Sequence, residues 1–357
     1  MKKTLGTLAT LASLASAAPQ ISLQMRTDYR FDFRNEADST LTDNSGFDLQ
    51  YARLDLNGSS DLGLKYRMRL RFDFPSQAVD AQSALSKDGK SVTTKATVVA
   101  KDTLRGYSDY VDYAYVKQSL PMGFSVTAGK FASGRGGYEG ATSSADMYTT
   151  TLVYSKTTAA FQSVLGVQPT WEGFGQTVSL TVANSGVGWA SDKYVQHFLL
   201  VGGLWQGTFL GGLVQPHLSY FFRPTKSTTD GQHLATVGVK SKVNIVTTEL
   251  EWKSLTDTAN GKGDNAFMHS TSLLAKLDFG MFRPQLKVFY DNQAVLDEKK
   301  SLERVGISPV LEVAPFEKTN LRWHVGYTYL DEIPYGKEDR NWSRVFAGVA
   351  MNLDILK

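Results

Sequence analysis

No cysteine occurs among the 357 residues, so no disulfide framework holds this chain together. Long apolar runs are missing as well. The most apolar stretch, Phe198 to Trp205, is eight residues and includes two glycines, far short of the ~18–20 residues of a membrane helix. An excess of one charge sign is also absent, with 38 Lys and Arg against 35 Asp and Glu. That balance argues against a nucleic-acid partner. The five histidines, His197, His217, His233, His269 and His324, do not cluster. No His/Asp/Glu set has metal-ligand spacing, so neither a metal nor another cofactor is expected. His217 and Ser219 share a strand face at i, i+2, but no flanking motif or third partner accompanies them, and an enzyme is not expected. Gly-Arg-Gly-Gly-Tyr-Glu-Gly at 134–140 follows a strand but, on this reading, precedes no helix, so it is not a nucleotide-binding loop.

Alternation is what the sequence has in abundance. Leu62, Leu64, Tyr66, Met68, Leu70, Phe72 and Phe74 occupy even positions, and Gly63, Lys65, Arg67, Arg69, Arg71 and Asp73 fill the odd ones between them. A period of two is an extended strand with two unlike faces. Gly58 to Asp61 makes the turn of a hairpin with the preceding strand. Such a strand fits an amphipathic sheet with a dry core, or the inverse: apolar residues toward lipid and arginines toward a wet lumen.

The N-terminus favours the inverse. Lys2 and Lys3, a mildly apolar stretch from Thr4 to Leu14, and Ala15-Ser16-Ala17 form a secretory signal peptide over residues 1–17. Residues 18–357 then form one exported domain, with 36 basic against 35 acidic residues once Lys2 and Lys3 are removed. In a membrane without long apolar helices, only a closed barrel satisfies every backbone polar group.

The same alternation recurs along the chain. Ile21–Arg34 opens the series and Arg344–Ile355 closes it. Hairpins are expected at Leu120-Pro121-Met122, at Pro169 to Gly175, and at Gln206-Gly207-Thr208, with further strand pairs to the C-terminus. Ser76 to Arg105 reads as a surface loop. Ala159–Gln168 reads as a strand, and Val153 to Ser155 as a possible strand piece. The count is sixteen strands if Ala132 to Thr158 is one loop, and eighteen if Met147 to Ser155 also pairs. Short connections alternate with long ones, the mark of outer-membrane barrels with short periplasmic turns and long outer loops. Strands running toward long loops end in outward aromatics: Phe31 and Phe33, Phe72 and Phe74, Tyr220 and Phe222, Tyr290, Tyr327 and Tyr329. These fit an interfacial girdle. The fold class is therefore all-β, a transmembrane antiparallel barrel of the cell outer membrane.

Tyr51-Ala52-Arg53-Leu54-Asp55-Leu56-Asn57-Gly58 resembles the second-strand segment of the general diffusion porins of Gram-negative bacteria. Tyr113-Ala114-Tyr115-Val116, Gly123-Phe124-Ser125-Val126 and Gly129-Lys130-Phe131 resemble the hairpin leading into their third loop. The resemblance implies a homotrimer of sixteen-stranded barrels, each with its third loop folded into the lumen. It also implies passive diffusion of small hydrophilic solutes and ions, and contact with outer-membrane lipids, lipopolysaccharide and the barrel assembly machinery. It places Arg53 at a wall arginine and Arg26 near a basic position of the first strand. Departures are a chain end of Ile355-Leu356-Lys357 in place of a terminal aromatic, Tyr110 where a wall arginine is expected, and GRGGYEG in place of a Pro-Glu-Phe motif.

Residues i and i+2 on a strand are ~6.7 Å apart, so Arg67, Arg69 and Arg71 form a ladder that a dry core could not hold. The expected constriction is a basic wall of Arg26, Arg53, Arg67, Arg69 and Arg71, facing Glu139 and Asp146 of the third loop. The alternatives are a substrate-selective porin for phosphate or another anion, suggested by the ladder and by Lys87, Lys90, Lys95 and Lys101, and a non-conducting surface barrel or adhesin.

Overall fold

The computed structural model describes residues 19–35, 44–72, 78–85, 92–99, 111–133, 137–143, 145–161, 164–190, 195–224, 231–257, 266–295, 300–316, 320–334 and 340–356. The expected signal peptide, Phe74, and the side chains of the four second-loop lysines lie outside them.

Eighteen strands are described: β1 (Gln20–Asn35), β2 (Asn44–Ser59), β3 (Leu64–Phe72), β4 (Ala78–Leu85), β5 (Val92–Val99), β6 (Val111–Ser119), β7 (Phe124–Phe131), β8 (Val164–Gly173), β9 (Gln176–Ala190), β10 (Val195–Gly207), β11 (Val214–Pro224), β12 (Gly231–Val243), β13 (Val246–Asp257), β14 (Ala266–Leu277), β15 (Phe282–Val295), β16 (Lys300–Val313), β17 (Asn320–Pro334) and β18 (Arg340–Leu356). Sixteen close into one antiparallel barrel in chain order, with β3 pairing directly to β6 and β18 returning to β1. The other two, β4 and β5, pair with each other as a separate hairpin. The expected count of sixteen thus stands for the barrel, and the segment read as a plain loop carries a hairpin of its own.

The barrel is inverted, as alternation requires of a sheet with lipid on one side. Leu165, Val167, Leu180, Val182, Leu199, Val201, Leu218 and Tyr220 are exposed on the outer face. Their neighbours in sequence, including Thr181, Ala183, Leu200 and Ser219, are buried on the inner face. Phe31, Phe33, Phe72, Tyr220, Tyr290 and Tyr327 are exposed toward the long-loop end, where the girdle was expected.

Two bulges re-aim residues toward the lumen. In β2 the pairing to β1 passes from Arg26↔Tyr51 to Thr27↔Leu49, so Gln50 is the extra residue. In β6 the pairing to β3 passes from Arg69↔Tyr113 to Leu70↔Val111, so Asp112 is extra and turns in beside the arginines.

Several local expectations are corrected. Among the described residues between β7 and β8 are two helices, α1 (Gly137–Ala141) and α2 (Leu152–Phe161), and no pairing of 147–155. Residues 137–140 of the glycine-rich stretch therefore do lie in a helix, with Gly137 at φ 82° opening α1. Ala159 lies in α2, and the following strand begins at Val164. The turn after it is Phe174-Gly175 alone, with Pro169 inside β8 opposite Val126.

Candidate functional site in the lumen

The segment from α1 to α2 is fastened to inward-facing side chains of β1, β11 and β13 to β17. At its start the Gly137 N–H donates to His217 Nε2 at 2.6 Å, and the Tyr138 hydroxyl donates to the Gln215 carbonyl. His217 holds Gln206 through Nδ1 at 3.0 Å. The ring is thus occupied on both nitrogens by structural contacts.

Glu139 is the most heavily engaged residue of the segment. Its carboxylate accepts from Lys253 Nζ at 2.5 Å and Lys287 Nζ at 2.7 Å. It also accepts from the Thr151 N–H at 2.9 Å and the Thr151 hydroxyl at 2.7 Å. Burial alone would raise its carboxyl, but the charges of Lys253 and Lys287 and their hydrogen bonds hold it far below the usual range. Lys253 also meets Glu251 at 2.8 Å, so two acids face two lysines in a balanced cluster.

The middle of the segment rests on β1 and β17. Asp146 pairs with Arg322 at 2.5 Å, and Arg322 also reaches Glu312 at 3.4 Å. Arg26 donates to the Met147 carbonyl at 2.9 Å while held by Asp28 at 2.6 and 3.0 Å. Tyr148 lies under the Arg26 guanidinium at 4.2 Å, stacks on Phe346 at 5.6 Å, and donates to Glu312 at 2.7 Å. Burial and the Glu312 carboxylate push the Tyr148 phenol upward, so it remains a neutral donor. His324 completes this corner through Asp28 at 2.8 Å.

The start of α2 is capped from the wall. Its first N–H groups have no intrahelical partner. Leu152 N–H donates to Asp291 Oδ1 at 3.0 Å and Val153 N–H to Ser270 Oγ at 3.1 Å. Asp291 is tied to Arg304 at 2.7 Å, and Arg304 also donates to the Thr150 carbonyl at 3.3 Å. Val153 is fully buried in an inward apolar cluster with Phe221, Leu234, Leu255 and Met268. Hydrophobic docking and charged capping thus act on the same turn.

The remaining expected arginines lie together on β2 and β3. Arg53 and Arg71 are directly paired in register. Arg67 is bound by Asp55 at 2.5 and 2.9 Å. Arg69 is bound by Asp112 at 2.6 Å and lies 3.7 Å over the Tyr113 ring, and Arg53 approaches Asp112 at 3.8 Å. Arg26 is on the neighbouring β1, paired to Tyr51. The five basic residues are therefore brought together. The two acids are bound elsewhere: Glu139 by lysines of β13 and β15, and Asp146 by an arginine of β17. Sequence reading passed over Asp55, Asp112, Lys253, Lys287, Asp291, Arg304, Glu312 and Arg322. One signal was present in Glu249-Leu250-Glu251-Trp252-Lys253, where charges alternate on the face that should be lumenal.

A closed sixteen-stranded barrel, apolar outside and charged inside, defines an outer-membrane porin, a water-filled channel for passive diffusion of small solutes. Residues 20–273 match the phosphate-selective porin O and P family, and the chain belongs to it. The fold is shared with solved structures at low identity. The anion-selective porin from Comamonas acidovorans superposes with TM-score 0.61 at 13% identity, covering 94% of this chain and 99% of that one. The outer-membrane channel DcaP of Acinetobacter baumannii gives 0.63 at 9%, covering 95% and 99%. OmpT of Vibrio cholerae, in a trimer form, gives 0.58 at 13%, covering 94% and 100%. Among curated protein sequences there is no match.

Proposed function

We propose that solutes pass between the α1–α2 segment and the arginine-bearing stretch of β2 and β3, and that this passage favours small anions. The observation that carries this is the density of guanidiniums on one stretch of the wall. Arg53 and Arg71 are paired in register, Arg67 is bound by Asp55, and Arg69 and Arg53 approach Asp112, so four guanidiniums gather on one stretch of β2 and β3. Asp146 of the segment and Glu312 of β16 share Arg322 of β17. Rings and rows of charge set pore selectivity. The field of a row of charge beside a wet passage orders water and favours polar solutes, and its guanidiniums enrich anions. Glu139 adds little to that field, because Lys253 and Lys287 neutralise it.

Phosphate is the favoured candidate among anions, given the family and a row of guanidiniums suited to oxyanions. The functional unit in this reading is a homotrimer, as in the trimer form of the Vibrio cholerae neighbour. The test is a planar-bilayer recording in a KCl gradient. The expected result is a reversal potential on the anion side, with each trimer closing in three equal steps. Arg67→Gln combined with Arg71→Gln should move the reversal potential toward cations, and the shift should shrink at 1 M salt, where the Debye length is ~3 Å. An unchanged reversal potential in the double variant would remove these arginines from the passage.

A further inference from the structure

The short turns of this barrel carry apolar side chains where hairpins in water carry polar ones. Leu62, Met122, Phe174, Leu210, Ile245, Phe279 and Phe316, one from each of the seven short connections, are all exposed. Met122, Phe174 and Leu210 are 85%, 93% and 76% exposed.

Their backbone makes the pattern informative. Met122, Phe174 and Leu210 have φ of 62°, 52° and 52°, and each precedes a left-handed glycine, Gly123, Gly175 or Gly211. Two successive left-handed residues make the hairpin turn whose first position belongs to Asn, Asp or Gly. Asn244, with φ 51°, is the residue type that left-handed backbone favours. A bulky residue there is strained. Three turns keep the strain for a side chain that stands out from its own chain.

The rim continues the lipid-facing surface. The Phe174 ring is 6.3 Å from Trp171 and the Phe209 ring is 6.4 Å from Trp205. Trp171 shares the outer face of β8 with Leu165 and Val167, and Trp205 that of β10 with Leu199 and Val201. The seven turns also join successive strand pairs around a closed cylinder, so they encircle it. A globular partner would cover one sector of such a ring, whereas a bilayer surrounds all of it. Short turns of these barrels lie on the periplasmic side. We propose that the turn rim is immersed in the headgroup–acyl boundary of the periplasmic leaflet, with Met122, Phe174 and Leu210 as its wedges, so that the ligand of this surface is phospholipid.

The absence of native cysteine makes the test direct. Met122→Cys, Phe174→Cys and Leu210→Cys, each in the full chain, are labelled with a nitrobenzoxadiazole dye and refolded into phosphatidylethanolamine–phosphatidylglycerol vesicles. The expected result at all three sites is blue-shifted emission, quenched several-fold more by a lipid-borne nitroxide than by iodide. Quenching by iodide as for free dye would overturn the proposal, and protection from both quenchers would overturn it in favour of a protein neighbour or a second copy. The triple change M122N/F174N/L210N relieves the backbone. It should stabilise the barrel in detergent, yet lower the folded-to-unfolded ratio in vesicles by at least about tenfold, because three apolar groups leave lipid. Equal stabilisation in both media would also overturn the proposal.

Discussion

Glu139 shows how much a single side chain can carry. It is buried, accepts four hydrogen bonds, and is the meeting point of α1, α2, β13 and β15. Breaking a buried ion pair by removing one partner costs about 3–5 kcal/mol. Glu139→Gln should therefore reduce amide-exchange protection across 137–161 while the barrel strands keep theirs. Because the folded carboxyl is held below its unfolded value of about 4.3, its contribution is complete above that pH and is lost only as pH falls through the depressed folded value. The wild-type advantage over Glu139→Gln should thus be equal at pH 7 and pH 5; a loss between them would contradict the pairing. The importance of Glu139 was legible in the sequence as one of two acids in a long loop. Its partners were not, since Lys253 and Lys287 are over a hundred residues away and alternation gives their face but not their height.

At the scale of elements, strands were readable and helices were not. Period-two patterning is physical cause and sequence signal at once, so β1, β3 and β18 emerge nearly residue by residue. In α2, Leu-Val-Tyr-Ser-Lys-Thr-Thr carries the β-branched and aromatic residues of a strand. What makes it helical is tertiary: Asp291 and Ser270 receive its first amides, and Val153 enters a pocket built by four distant strands. Carboxylate capping adds about 0.5–2 kcal/mol to a helix start. Asp291→Ala should accordingly raise exchange in 151–161 selectively and make single-channel current noisier, with the mean reversal potential unchanged. Exchange spreading into β14 and β15 instead would mean that the carboxylate braces the wall more than the helix. The bulge at Asp112 was equally hidden, because one inserted residue changes which face an acid occupies without changing composition.

For the whole molecule, the inversion of polarity makes the lipid face the vulnerable one. Leu250 is exposed in the middle of β13, between Val239 of β12 and Leu273 of β14. Leu250→Arg should cost about 2–4 kcal/mol, read as a lower urea midpoint for folding into vesicles; an unchanged midpoint would place Leu250 away from the hydrocarbon. Fold class and the inward arginines are legible in the sequence because alternation alone dictates which face a residue takes; the strand number stayed between sixteen and eighteen until 147–155 proved to be unpaired.

The tether running from β1 through β17 to β11 has a mechanical consequence for the cylinder around it. A thin-walled tube flattens easily, since bending its wall needs only small rotations at each strand pair. A chord fixed at many points of the circumference opposes that ovalisation. Arg26, Arg322, Arg304, Lys287, Lys253, Ser270 and His217 are such fixing points. The proposed passage beside the chord would then keep its shape when lateral pressure in the membrane changes, and flux through it would depend on the solute rather than on the tension of the envelope.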